Sequence, residues 1–374
     1  MGLPFASIFQ GRSVFVTGHT GFKGSWLCEW LLALGARVTG YSLPPSTRPA
    51  LFDILGLRER VAGHVEGDIM DLARLKAAVK DSRPDFVFHF AAQPLVRNSY
   101  EEPLETFGVN ALGTAHVLEA LRERPGAVAV LATTDKCYEN REWLHGYREE
   151  DPLGGHDPYS ASKACAELII SSYRRSFLQG LGVKVASARA GNVIGGGDWS
   201  KDRLVPDCAR SLSAGEAIKI RRPDSTRPWQ HVLEPLAGYL WLAARLDKEA
   251  SGGSPLCSAF NFGPGRDANR PVRDLVAKIL ETWPGSWEDQ SDPASPHEAG
   301  LLFLSTDKAH ALLGWSPVWD FDESVFRTIA WYRMSYERPA SGALREYTLS
   351  QIIDFTRSAA LKRAPWAMGM EFTA

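Results

Sequence analysis

The sequence predicts an α/β fold, a doubly wound parallel sheet joined to a smaller mixed α/β lobe, and three observations carry that prediction. Short β-branched and aromatic runs alternate with helical runs through the first half, the pattern of parallel strands linked by crossover helices. A glycine-rich turn, Gly18-His19-Thr20-Gly21-Phe22-Lys23-Gly24, falls directly between the first strand and the first helix. After Arg189 the alternation gives way to Gly195-Gly196-Gly197, Arg221-Arg222-Pro223 and Arg227-Pro228-Trp229, which marks a second structural unit.

Ser13 to Thr17 reads as the first strand. Trp26, Leu27, Trp30, Leu31 and Leu34 then recur at helical spacing, with Gly35 as the stop. Strands follow at Val38 to Tyr41, Val61 to Glu66, Phe86 to Phe90, Val128 to Leu131 and Val183 to Ala186. Helices are expected between them at Leu72 to Val79, Ala111 to Arg122 and Tyr159 to Phe177. This is a Rossmann-type order, with a switch point able to hold a dinucleotide. In the second half helical periodicity returns at Leu233 to Leu246 and Val272 to Trp283, with a polar loop at Asp289 to Glu298. Residues 1–190, with a return segment near 231–262, are expected to form the dinucleotide-binding domain. Residues 191–374 mostly form the smaller, discontinuous lobe, and the apolar tail residues Trp366, Met368, Met370 and Phe372 dock somewhere on the body.

Composition excludes several classes. In 374 residues, 42 Lys and Arg stand against 44 Asp and Glu, so a net charge of −2 gives no general reason to bind nucleic acid or an acidic membrane. Cys28, Cys137, Cys165, Cys208 and Cys257 are scattered singly, without metal-ligand spacing or a disulfide framework. No metal is expected. With no signal peptide and no apolar run long enough to span a bilayer, a soluble cytoplasmic protein is expected.

The glycine turn is the first functional motif. Its glycines permit close approach of a pyrophosphate, and the helix N-terminus adds unpaired amides and a favourable dipole. Gly18, Thr20, Gly21, Phe22 and Gly24 are therefore cofactor-binding candidates. Strand two ends at Tyr41-Ser42 without a carboxylate for a ribose 2′-hydroxyl, and Arg48 downstream is a possible partner for a 2′-phosphate. NAD and NADP both remain open on this point. Asp68 is a candidate for the adenine edge, and Ala91, Ala92 and Gln93 offer a small-residue wall. Asn110 reads as a helix cap or as an orienting amide.

The second motif is Thr133-Thr134-Asp135-Lys136 at the end of strand five, followed by Tyr159-Ser160-Ala161-Ser162-Lys163. Tyr159 and Lys163 share a helix face at i and i+4, where the cation favours the phenolate and a base near neutral pH is expected. Asp135 and Lys136 add more acid/base equipment than an alcohol oxidation needs. Thr306-Asp307-Lys308 repeats the tripeptide, but there it reads as a helix N-cap followed by a first-turn acid, so position confers the meaning.

Together the Gly-x-x-Gly-x-x-Gly turn, Tyr159-x-x-x-Lys163 and Thr134-Asp135-Lys136 resemble the nucleotide-sugar 4,6-dehydratases of the extended short-chain dehydrogenase/reductase superfamily. Thr-Asp-Lys in place of Thr-Asp-Glu is similar to the branch acting on CDP-glucose. Arg189 to Trp199 resembles that family's nucleotide-diphosphate loop, and Arg227-Pro228-Trp229-Gln230-His231-Val232 its pyrophosphate clamp, which makes Asn192 and Arg227 substrate-binding candidates. The resemblance implies NAD as cofactor, a nucleotide-sugar substrate and a homo-oligomer, dimer or tetramer, assembled through the Ala111 to Arg122 and Tyr159 to Phe177 helices. It implies that Thr134 binds the sugar hydroxyl, that Tyr159 is the base, and that Lys163 holds the nicotinamide ribose. Asp135 is then the acid toward the 6-hydroxyl and Lys136 the C5 base, with the reverse assignment open. To serve as a base Lys136 must be neutral part of the time, through burial or a nearby cation. The alternatives are a nucleotide-sugar 4-epimerase, or a 4,6-dehydratase of another nucleotide-sugar.

Overall fold

A computed structural model of the chain describes residues 3–250, 253–291, 301–337 and 341–368. Seven parallel strands form the main sheet: β1 (Ser13–Thr17), β2 (Arg37–Ser42), β3 (Gly63–Glu66), β4 (Phe86–His89), β5 (Val128–Ala132), β6 (Lys184–Arg189) and β7 (Ala259–Asn261). Their spatial order is β3-β2-β1-β4-β5-β6-β7, so the winding reverses between β1 and β4. Brändén-type crevices form at such reversals, beyond the carboxyl ends of the strands.

Strand periodicity divides the core. Val14, Val16, Phe86, Phe88, Val128, Val130, Ala186 and Ala188 point to one face, packed with residues of the Phe22–Ala33 and Leu233–Lys248 helices. Phe15, Val87, Ala129, Leu131 and Val185 point to the other, against Leu75, Val117, Leu118 and Ile170 of the Leu72–Ser82, Gly113–Leu121 and Pro158–Tyr173 helices. Covering both faces is what makes these strands read as nearly continuous apolar runs.

Boundaries differ from the sequence expectations where hydrogen bonds compete. The third strand starts at Gly63 rather than Val61, because the Val61 amide closes the Leu57–Arg60 helix on Leu57 O. The sixth runs on to Arg189, since Ala132 pairs in register with Ala188. The expected helices at 111–122 and 159–177 are each interrupted by a π turn, at Gly108–Leu112 and Arg174–Leu178. Asn110 thus lies within a helical path and is not a cap. Thr306 does occupy the N-cap position of the Asp307–Leu313 helix, but its side chain makes no capping bond; Ser305 Oγ donates to Asp307 Oδ2 instead, at 2.8 Å.

Short strand pairs make up the remainder, Val193–Ile194 with Gln230–His231, Thr226–Pro228 with Asn269–Pro271, and Ile218–Ile220 with Trp287–Asp289. They are accompanied by the Leu204–Ser213, Val272–Thr282 and Phe321–Glu337 helices. Beyond Gln290 and Ser291 the expected polar loop lies outside the described residues. The Ser341–Leu361 helix packs against the Phe22–Ala33 helix, and Trp366 behind it stacks on Phe5 at 5.5 Å and on Phe355 at 5.7 Å. Met368 is half exposed, while Met370 and Phe372 lie outside the described residues. Among the described residues no helix is long and apolar enough to cross a membrane, and no group of His, Cys, Asp and Glu could hold a metal ion.

Candidate active site

A cleft of about 2250 Å3 opens at the carboxyl ends of β1, β4 and β5. Its lining begins with the glycine turn. Gly18 has φ +72°, and a β-carbon there would lie 2.6 Å from Ala91 N; one on Gly24 would lie 2.2 Å from Gly18 O. The turn, the β4 end and the first helix therefore close on one another only because these positions are glycine. Thr20 Oγ1 donates to Leu43 O at 2.9 Å and pairs with Ser42 Oγ at 2.8 Å, fixing the turn to the end of β2. Arg48 is exposed and does not line the cleft, unlike Ser46 and Thr47 beside it.

Thr20, Gly21, Phe22, Asp68, Ala91 and Ala92 all line the cleft. Gln93 does not. Its side chain turns away, donating to Thr106 Oγ1 at 2.8 Å and Leu95 O at 3.1 Å and accepting from Leu95 N at 2.6 Å. The adjacent wall is set instead by Asn110, whose Oδ1 accepts from Gln93 N at 2.9 Å while its Nδ2 donates to Gln93 O at 3.0 Å and Ser162 Oγ at 2.9 Å. That amide braces the β4 end against the helix carrying Lys163, which is the orienting role, not the capping one.

Thr134, Asp135, Lys136, Tyr159 and Lys163 line the same cleft. Asp135–Cys137 forms a single 3-10 turn capped by Thr134 Oγ1, which accepts from Lys136 N and donates to Asp135 Oδ1 at 3.0 Å. Asp135 is buried and its Oδ2 has no protein partner. Burial raises its carboxyl above the usual range, outweighing Lys136, the Thr134 hydrogen bond, Arg227 and Lys23. Asp157 caps the Pro158–Tyr173 helix, accepting from Ser160 N at 2.9 Å, and so fixes where Tyr159 emerges.

The expected neutral-pH base is corrected here. Burial pushes the Tyr159 phenol up to about 12, against a hydrogen bond from Thr134 and the charge of Arg203, with Asp135 and Asp157 adding to the rise. Lys163 is also buried, and desolvation lowers its amine to about 8 against the pull of Glu167 and Cys137. The i, i+4 spacing was legible, but burial in the assembled cleft dominates the protonation of the phenol.

Asn192 and Arg227 complete the lining from the smaller lobe. Asn192 has φ +30°, and Arg227 is half-buried, with Nη1 donating to Thr226 O at 2.8 Å. Several participants escaped the sequence reading. Lys23, within the glycine turn, lines the cleft; burial and the charge of Arg203 lower it to about 8, and it feels both Asp135 and Lys163. Gly191 lies against Asp135, and Gln230 Nε2 donates to Gly191 O at 3.0 Å. The signal for Lys23 was present, a lone cation inside a phosphate-type turn; Gly191 and Gln230 had none beyond their segments.

The sequence profile of the family described as GDP-mannose 4,6 dehydratase matches residues 15–328. A CDP-glucose 4,6-dehydratase of Salmonella typhimurium is 48% identical over 335 residues, covering 87% of this chain and 92% of that protein. A dTDP-glucose 4,6-dehydratase of Streptomyces antibioticus is 30% identical over 333 residues, covering 86% and 92%. Among solved structures, the Thermus thermophilus UDP-glucose 4-epimerase in complex with NAD superposes with a TM-score of 0.73 at 27% identity, covering 86% of this chain and 98% of that one. By the profile match and both relatives, the chain belongs to the GDP-mannose 4,6 dehydratase family, nucleotide-sugar 4,6-dehydratases of the short-chain dehydrogenase/reductase type.

Proposed function

We propose that the chain is a CDP-glucose 4,6-dehydratase, an NAD-dependent hydro-lyase that converts CDP-D-glucose to CDP-4-keto-6-deoxy-D-glucose and water. The carrying observation is the buried Asp135, with an unpartnered Oδ2, next to Lys136 in the cleft that also holds Thr134, Tyr159 and Lys163. An epimerase has no use for such a pair, whereas an elimination needs both an acid and a base. The Salmonella typhimurium relative supports CDP-glucose as the substrate.

The family uses NAD, and the cradle fits it: the tight turn through Gly18, Gly21 and Gly24 brings a helix N-terminus to the cleft as a pyrophosphate would need, with the small residues Ala91 and Ala92 beside it. Asp68, Tyr159 and Lys163 are the further residues proposed to hold it. When bound, NAD would supply the hydride-accepting and hydride-donating chemistry needed at C4 and C6 of the hexose. The chain's own groups handle the protons. Tyr159 Oη, a base only when the positive charges of Lys163 and of the bound cofactor would face it and offset its burial, takes the proton of the 4-hydroxyl, and Thr134 Oγ1 orients that hydroxyl. Lys163 holds the ribose, and its positive charge favours the phenolate form of Tyr159 that accepts the proton. The resulting 4-ketone acidifies the C5 proton, which Lys136 Nζ removes and returns to C5 when hydride reaches C6. Asp135, held protonated more readily by its burial, gives its proton to the departing 6-hydroxyl. Asn192 and Arg227 bind the diphosphate of the substrate.

Residues 1–190 with 231–262 form the dinucleotide-binding unit in this reading, and the rest of 191–374 the nucleotide-sugar unit. Leu112, Leu168 and Phe177 are exposed by 49%, 59% and 44% on the helices expected to pair, and a homo-oligomer covers them. Sedimentation of wild type against Leu168→Glu checks this, and an unchanged mass would count against it. All five cysteines are free thiols, which suits a cytoplasmic location. The function is tested by incubating the chain and NAD with CDP-glucose beside dTDP-, UDP- and GDP-sugars; a 4-keto-6-deoxy product from CDP-glucose first is expected, and a C4 epimer as sole product would refute it.

A further inference from the structure

One helical turn beyond Lys163 lies Glu167, only 4% exposed. Three donors from two strands converge on its carboxylate. Thr133 Oγ1, at the end of β5, donates to Oε1 at 2.5 Å; Ser187 Oγ and Arg189 Nη2, both on β6, donate to Oε2 at 2.7 and 2.9 Å. Arg189 is equally buried and is itself fixed, Nη1 donating to Tyr138 Oη at 2.7 Å and Glu149 O at 3.0 Å. Tyr138 Oη in turn donates to Asn261 Oδ1 on β7 at 2.8 Å. A buried carboxylate with this many charge-assisted partners is ionised. Although burial alone would raise Glu167, Arg189 and the hydrogen bonds hold it below the usual range.

This network exceeds what packing requires. The proposed reaction engages Thr134, Asp135 and Lys136, and Thr133 is the residue before them. Glu167 also shares a helix face with Lys163. We propose that Glu167, kept ionised by Arg189, is a positioning residue: its fixed negative charge keeps the buried amine of Lys163 an ammonium, and its bond from Thr133 holds the strand end in place.

The other charges around Lys163 do not substitute for it. Cys137, after β5, faces Lys163, but burial pushes its thiol far up, so it is uncharged where Lys163 titrates. His89 on β4 and Lys23 in the first helix also feel Lys163, the one neutral from burial and the other a like charge. Around Glu167 itself, Arg174 is the second cation that registers its charge.

The role rests on the dehydratase reading, but its test does not need turnover. Full-length chain with 13Cε-labelled lysine is titrated by NMR, Lys163 being assigned by the signal lost in Lys163→Arg. In Glu167→Gln the Lys163 midpoint is expected to fall by about one pH unit, a tenfold change in proton affinity. Glu167→Gln/Arg189→Met removes both charges, guards against misfolding caused by an unpaired Arg189, and is expected to shift the midpoint down by less. A midpoint unchanged in both variants overturns the inference, even if both melt earlier. Should wild type fail to turn over CDP-glucose, the functional reading falls while this titration still decides the role of Glu167.

Discussion

Gly191 and Asp135 occupy a space with room for only one side chain: a β-carbon on Gly191 would lie 1.8 Å from Asp135 Oδ2. The carboxylate that is proposed to protonate the leaving hydroxyl rests on bare backbone, and Gln230 pins that backbone by its carbonyl. Gly191→Ala must therefore displace Asp135. We expect kcat to fall by about 100-fold for a misplaced catalytic group, with NAD affinity kept, since the glycine turn is untouched. Steady-state kinetics beside NAD titration checks this, and near-wild-type kcat would show that Asp135 need not sit where it does.

Tyr159→Phe removes the group proposed to take the 4-hydroxyl proton while leaving its buried volume filled. A loss in kcat of about 10^2- to 10^4-fold is expected for a general base, with little change in melting temperature. Retention of wild-type turnover would assign the proton to another group.

Asp135→Asn and Lys136→Met separate oxidation from elimination. Both variants are expected to retain the initial oxidation at C4, visible as near-ultraviolet absorbance of reduced cofactor after mixing with substrate, and to lose the 4-keto-6-deoxy product. If Lys136→Met forms product at the wild-type rate, the C5 base lies elsewhere, and Asp135 is the first candidate.

His19, His89 and His231 are buried and held neutral, each lowered from 6.5 to about 3 by desolvation first of all. The unfolded chain takes up these protons before the folded one, so their stability contribution is complete above the unfolded value and is lost as pH falls from 6.5 toward 3. At about pH 5.5 each costs roughly 1 kcal/mol of stability. Urea midpoints at about pH 7.5 and 5.5 measure it. His231→Asn, which preserves an acceptor for the Leu233 amide, should flatten the decline by about that amount; an equal decline in wild type and variant would contradict the burial argument.

Much of this architecture was readable because it rests on short-range pattern. Strand alternation, the glycine turn and the Tyr159/Lys163 spacing each fix geometry within a few residues, and the structure gathers Gly18, Asp135, Tyr159, Asn192 and Arg227 into one cleft. What was illegible depends on partners far along the chain. Asn110 is a brace because Gln93 and Ser162 arrive beside it, and Gln93 turns inward because Thr106 is there to receive it. Nothing within its helix marks Glu167, because the partners that define it, Ser187 and Arg189, arrive on β6. The protonation of Tyr159 was misjudged for the same reason, since burial is a property of the assembled cleft and not of an i, i+4 pair.

The central claim is that one cleft oxidises C4, eliminates across C5 and C6, and delivers the same hydride to C6. The most direct measurement is NMR of the product formed from CDP-[4-2H]glucose by the chain with NAD in ordinary water. The account predicts CDP-4-keto-6-deoxyglucose carrying the deuterium at C6. Deuterium retained at C4 of an epimerised sugar, or a 4-keto-6-deoxy product without deuterium at C6, would contradict it.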